Sequence, residues 1–184
     1  MKKEILTHSL YLLLFSLVVI LVKRYFLPLN LNSALICGMF LLGGVIGTVL
    51  PDIDHLIYIF LLKPQDLTSQ RVGYMLGKGD IWNTLEVLAI TREERKHLIF
   101  HSALFQIIFW VLAFLVVSSS GSVFGRGLVL AFSLHLIVDQ FLDLMKLDNL
   151  DNWFRQWNLI LDKNKYMFYW ITNLGVLLLF GLVF

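Results

Sequence analysis

Gly43-Gly44-Val45-Ile46-Gly47-Thr48-Val49-Leu50-Pro51-Asp52-Ile53-Asp54-His55 ends a long apolar, glycine-bearing run in two carboxylates and an imidazole. No charged residue lies between Tyr25 and Pro51. A helix rises about 1.5 Å per residue, so the run from Ser33 to Leu50 is long enough to cross most of a hydrocarbon core of about 30 Å. The polar step then falls at a membrane edge. The other four histidines, His8, His97, His101 and His135, also lie at or near the ends of apolar runs. The expectation is that the fold gathers those ends.

Working outward, Ile5 to Val22 is uncharged apart from His8 and reads as a first span closed by Lys23-Arg24. The second is the run above, whose Gly43-x-x-x-Gly47 spacing lets another helix backbone approach closely in lipid. His55 to Leu62 is too short to span and is bounded by Lys63-Pro64, which predicts a separate interfacial or re-entrant helix. Residues 63–96 are the most polar segment, and within them Ile81 to Ile90 predicts an amphipathic helix lying on the membrane with Trp82 at headgroup level. A third span opens near His97 to His101, a fourth runs from about Gly127 to Leu142, and a fifth from Tyr166 to Phe184. Between the last two, Trp153 and Trp157 suit an interface. The fold class is therefore all-α, a polytopic membrane protein of about five transmembrane helices with interfacial helices, and residues 1–184 form a single integral membrane domain.

Composition agrees. The chain is 58% hydrophobic and 15% charged, against about 25% charged residues in an ordinary soluble domain. A net charge of +2 gives no footprint for nucleic acid. Cys37 is the one cysteine, which excludes an intrachain disulfide and a cysteine-based zinc site. No small-residue cleavage site follows the first apolar run, so the N-terminus reads as an uncleaved span.

Five crossings put the start of span one, the end of span two, the start of span three and the end of span four on one side. Twelve of the fifteen basic residues share that side, and only Lys23, Arg24 and Arg126 lie opposite. By the positive-inside rule the histidine side is cytoplasmic, in a cell inner (plasma) membrane, with the N-terminus inside.

His97-x-x-x-His101 and His135-x-x-x-Asp139 carry their members one helical turn apart, on one face. With Asp52, Asp54 and His55 at what reads as a helix break, and His8 at the first span's start, they form a candidate ligand set of His8, Asp52, Asp54, His55, His97, His101, His135 and Asp139. Imidazole and carboxylate without thiolate suit a divalent metal, zinc first and manganese or iron(II) next, as one or two ions. An aspartate inside an apolar helix is costly, on the order of 2.5–3.5 kcal/mol at the centre, so Asp139 points to function. Asp54 and Asp139 are the candidate general bases. Arg92, Arg95 and Lys96 are either membrane-edge anchors or contacts for a substrate phosphate.

Thr7-His8-Ser9, Gly47-x-x-Leu50-Pro51-Asp52-Ile53-Asp54-His55, Phe100-His101-Ser102 and His135-x-x-x-Asp139 resemble, in this order, the motifs of the small membrane-bound metal-dependent hydrolases, a family of bacterial and archaeal inner-membrane proteins known as LexA-binding hydrolases. The resemblance spans roughly residues 5–142. It implies a helical core and metal-dependent hydrolysis. The chain departs from the pattern at Lys96-His97, where members often have His-Arg, and at Gln140-Phe141-Leu142-Asp143, where they often show Thr and Gly. The leading expectation is a hydrolase acting on a phosphoester of a lipid or lipid-linked substrate at the cytoplasmic leaflet. The alternative is an ion or metal transporter, or a non-catalytic metal-binding membrane protein; the sequence sets no oligomeric state.

Overall fold

A computed structural model of the chain describes residues 2–24, 31–119 and 121–183, and all regular structure among them is helical. In chain order the helices are α1 (Lys2–Arg24), α2 (Leu31–Val49), α3 (Ile53–Ile57), α4 (Leu67–Gly77), α5 (Ile81–Ile90), α6 (Ala103–Ser119), α7 (Val123–Leu147), α8 (Asp151–Phe154) and α9 (Lys163–Val183). By length and composition three stretches can cross a membrane: Ala34–Leu62, Val123–Leu147 and Lys163–Leu182. Leu6–Val22 and Ala103–Ser119 are apolar but shorter.

The axis of the bundle is α7. Every side chain from Val129 to Gln140 is buried, whereas α1, α2, α6 and α9 each bury one stripe and present leucine, isoleucine and phenylalanine outward. That inside-out surface is what a lipid-facing bundle requires, since hydrocarbon gives no reason to hide apolar residues. The closest approach is between α2 and α7. A Cβ added at Gly43 would collide with the Phe124 carbonyl, one at Gly47 with that of Leu128, and one at Gly127 with that of Phe40. The expected use of Gly43-x-x-x-Gly47 is thus realised: the two backbones touch because these positions carry no side chain. Indole and amide groups tie α6, α7 and α9 together. Trp170 Nε1 donates to the Ile137 carbonyl at 3.0 Å, Trp110 Nε1 to Asn173 Oδ1 at 2.7 Å, and the Tyr169 hydroxyl to Gln106 Oε1 at 2.6 Å.

Two expectations are corrected. Residues 55–62 do not form a separate helix, because Pro51 does not break the chain's course. The missing N–H at Pro51 is absorbed by a 3-10 turn over Leu50–Asp52, and the backbone stays right-handed helical through Val49, Asp52, Ile57 and Tyr58. The helix closes with a π turn at Tyr58–Leu62 and ends at Lys63, ahead of Pro64. At about 1.5 Å per residue, Asp52 lies roughly 27 Å along the helix from Ala34, close to the thickness of a hydrocarbon core. The second correction concerns residues 97–102, which are irregular rather than helical, so His97 and His101 do not share a helix face. The amphipathic helix expected at Ile81–Ile90 is α5: Thr84 and Leu88 are buried, and Ile81, Trp82 and Ile90 face outward. It packs, with α4, against the end of the long helix through Tyr58, Ile59, Val72 and Leu88.

Candidate metal centre

Asp139 sits where α1, α2, α7 and the 97–102 segment meet, and its side chain is fully buried. Its register on α7 puts His135 one turn away on the same face, with His135 Nε2 3.2 Å from Asp139 Oδ2. From α1, His8 Nε2 reaches Asp139 Oδ1 at 3.0 Å, and its ring stacks on that of His135 with centroids 4.2 Å apart. His101 Nε2 lies 3.0 Å from Oδ2. Three imidazoles from three separate segments therefore surround one carboxylate. Arg92 Nη2 reaches Oδ2 at 2.7 Å, and Asp52 Oδ1, largely exposed, stands 3.6 Å from His135 Nε2.

A second layer holds this one in place. Asp54 is fully buried and accepts the backbone N–H groups of Ile99 at 3.0 Å, Phe100 at 2.6 Å and His101 at 3.3 Å, with His101 Nδ1 at 3.2 Å from Oδ2. This carboxylate fixes the irregular segment and, through Nδ1, orients His101 so that Nε2 faces Asp139. Arg95 is buried as well. Its Nε donates to His55 Nδ1 at 3.1 Å, one terminal nitrogen to Thr91 Oγ1 at 2.9 Å, and the other to the Leu88 carbonyl. Burial, reinforced by Arg92 nearby, brings the Arg95 guanidinium down to about 10, so it remains cationic at neutral pH. The ring of His55 stacks on His101 at 5.4 Å, and Trp153 lies tilted against His101 at 5.7 Å while its Nε1 donates to Asp143 Oδ2 at 2.8 Å.

His8, His135 and Asp139 each offer a ligand atom within 4.8 Å of the others, and all three are buried. Both ring nitrogens of His135 are buried and neither makes a hydrogen bond of good geometry, Nε2 touching Asp139 only as an ion-pair contact, although buried polar atoms are nearly always satisfied. Ligands about 2.0–2.2 Å from a tetrahedral ion lie roughly 3.4 Å apart, the scale of the spacings around Asp139. The residues present therefore fit a divalent cation held by His8, His135 and Asp139, with His101 facing the same carboxylate.

The other residues singled out in the sequence divide by place. Asp52 faces the cluster from its open side. Asp54 and His55 stand one layer back, Asp54 with both oxygens engaged by residues 99–101, so neither it nor Asp139 at the centre has the open carboxylate expected of a general base. His97 is exposed and has no hydrogen bond or ion pair among the described residues. Of the three cations expected at a phosphate, Arg92 is on Asp139, Arg95 is committed to the wall, and Lys96 is exposed. Trp153, expected at an interface, is buried against His101. Neither the Asp143–Trp153 pair nor the Arg92 contact was legible in the sequence, since both depend on how the segments after α5 and α7 fold back.

A cavity of about 370 Å³ opens beside the cluster, with His8, Asp52, His55, His135, Arg92 and Arg95 forming its polar end. Arg92, Arg95 and His101 also line a smaller pocket of about 90 Å³ on the other side, together with Lys96 and Lys146. No family model, curated protein or solved structure matches the chain.

Proposed function

We propose that this chain is a membrane-embedded, metal-dependent hydrolase of a phosphoester in a lipid or lipid-linked substrate, working at the cytoplasmic leaflet of the inner membrane from a five-span bundle. The observation that carries the reading is the buried His8–His135–Asp139 group, whose two imidazoles line a cavity that leucine, isoleucine, valine and alanine side chains also line, which pairs a cation site with a place for hydrocarbon. The motifs shared with the small membrane-bound metal-dependent hydrolases, and the twelve-to-three split of basic residues, support it.

A divalent cation held by His8, His135 and Asp139 would supply Lewis acidity toward a phosphoryl oxygen and a more acidic water, zinc, manganese and iron(II) all being compatible with the donors. The chain's own part is to hold His8, His135 and Asp139 convergent, to aim His101 through Asp54, and to keep bulk water out with Trp153 and the α7 core. Asp52, exposed to the cavity and 3.6 Å from His135 Nε2, is the carboxylate placed to accept a proton there. Arg92, lining both cavities, is the cation placed to meet a phosphate.

A transport reading draws on the buried polar chain from Gln140 through Gln106 to Tyr169, Asn173 and Trp110. Beyond it α6 buries Ala113 and Val117, which offer an ion nothing to coordinate. The test is metal analysis of the purified protein followed by turnover of phospholipids, isoprenoid phosphates and a generic phosphodiester. Turnover that disappears in Asp52→Ala and in His101→Ala supports hydrolysis; turnover surviving both, or none with any of several metals, rejects it.

A further inference from the structure

The larger cavity is lined by two chemistries. Beside its histidines, Asp52 and arginines stand Val49, Ile53 and Leu56 of the long helix and Leu85, Leu88 and Ala89 of α5. Both walls are helical, so most backbone polar groups along them are engaged within the helices, and the Leu88 carbonyl is taken by Arg95. The outer face of α5 carries Ile81, Trp82 and Ile90, exposed by 58%, 77% and 75%, which seats the helix in a membrane surface with the cavity beneath it. A hydrocarbon chain reaching the cluster from the membrane passes between this helix and Ile53 and Leu56, themselves about 40% exposed.

We infer that this space between α3 and α5 is a tail subsite, and that the chain selects single-chain amphiphiles bearing a phosphate, with the first part of one hydrocarbon chain between the two helices and the phosphate at Arg92 and the His/Asp cluster. Size decides for one chain: about 370 Å³ is at the lower end of ligand-site volumes, which run from about 300 to 1,000 Å³. A glycerol backbone with two acyl chains needs the neck between α5 and the long helix to open, and Tyr58, Ile59, Val72 and Leu88, all buried, pack those elements together. Charge decides for the orientation. Arg92 is paired with Asp139 at the cluster, and none of Val49, Ile53, Leu56, Leu85, Leu88 and Ala89 carries a charge. Lys96 and Lys146 line the smaller pocket, which shares Arg92 and Arg95 with the cavity, so a polar group attached to a phosphate at Arg92 has that pocket to enter. The inference rests on the reading of the cluster as the phosphate's end.

Its test is photo-cross-linking, which needs no turnover. The full chain, metal-loaded and in lipid nanodiscs, is irradiated with a straight-chain alkyl phosphonate carrying a diazirine close to the phosphonate. The expected cross-links fall on residues 49–56 and 85–89, are competed by unlabelled alkyl phosphonate and are not competed by diacyl phosphatidate. Ala89→Trp, which fills the subsite, should lower the yield roughly ten-fold, equivalent to about 1.4 kcal/mol, with metal content unchanged. Leu85→Ala, which widens it, should let phosphatidate compete. Cross-links confined to other residues, equal competition by phosphatidate in the unmodified protein, or a full yield in metal-loaded Ala89→Trp would overturn the inference. If the cross-links form as expected but alkyl phosphate esters are never hydrolysed, the subsite stands and the hydrolase reading falls; hydrolysis without these cross-links has the opposite meaning.

Discussion

Asp54 and Asp139 meet opposite nitrogens of the His101 ring and have different work. Asp139 collects imidazoles from three segments, while Asp54 collects backbone N–H groups from one loop. Replacing Asp54 by Ala leaves the backbone N–H groups of Ile99, Phe100 and His101 without their acceptor, and a buried donor left so costs about 1–3 kcal/mol. Asp54→Ala should therefore lower the unfolding temperature and also weaken metal binding, because His101 loses its orientation. Asp139→Asn keeps the shape and one acceptor oxygen but removes the charge; it should abolish metal binding with a smaller loss of stability. Metal analysis and thermal unfolding of the two variants side by side separate the roles. His97→Ala is the control, expected to leave metal content and stability unchanged because the side chain is exposed and contacts none of the cluster.

Helix packing transmits to the site because α2 and α7 carry its two halves. Asp52, Asp54 and His55 ride on the continuation of α2, and His135 and Asp139 ride on α7. A side chain at Gly43 or Gly47 would drive these backbones apart at the Phe124 and Leu128 carbonyls, where no flexible group can yield. Gly47→Val should cost about 1–3 kcal/mol or more and reduce metal affinity together with stability. At Gly38, where an added Cβ meets nothing within 4 Å, the Ala variant should be as stable as the parent or slightly more so. Thermal unfolding in one detergent, with metal content measured on the same samples, checks both. The helical continuity through Pro51 belongs to this scale too. A 3-10 turn takes up the missing N–H, so the carboxylates stay on a rigid rod instead of a hinge.

For the whole molecule the expected arrangement is five crossings with the cluster at the cytoplasmic face. In a Cys37→Ala background, a cysteine at residue 122 should react with a membrane-impermeant reagent added outside, and one at Lys78 only after the cytoplasmic face is exposed. Labelling of residue 122 from the cytoplasm alone would invert the orientation. Acidification supplies a second check, since ligating imidazoles must be deprotonated: bound metal should leave as pH falls and return on neutralisation, with the helical signal retained. Loss of helix before loss of metal would mean that the cluster is not a metal site.

The sequence by itself determined what was local and periodic. Apolar runs marked the helices, Gly43-x-x-x-Gly47 marked a backbone contact, and His135-x-x-x-Asp139 marked one face of one helix, because each is a property of a few neighbouring residues. The amphipathic α5 was legible for the same reason. Only the tertiary structure decided which of the histidines and carboxylates converge so that they could hold an ion and which support them. His97 and His101 have the same spacing as His135 and Asp139, yet the Asp54 carboxylate, 43 residues upstream of His97, holds the 99–101 backbone out of a helix and turns one imidazole inward while the other stays in solvent. The physical reason is that a helix's spacing rule applies only where its backbone hydrogen bonds form. Whether they form here is settled by a buried charge from elsewhere in the chain, competing for the same N–H groups.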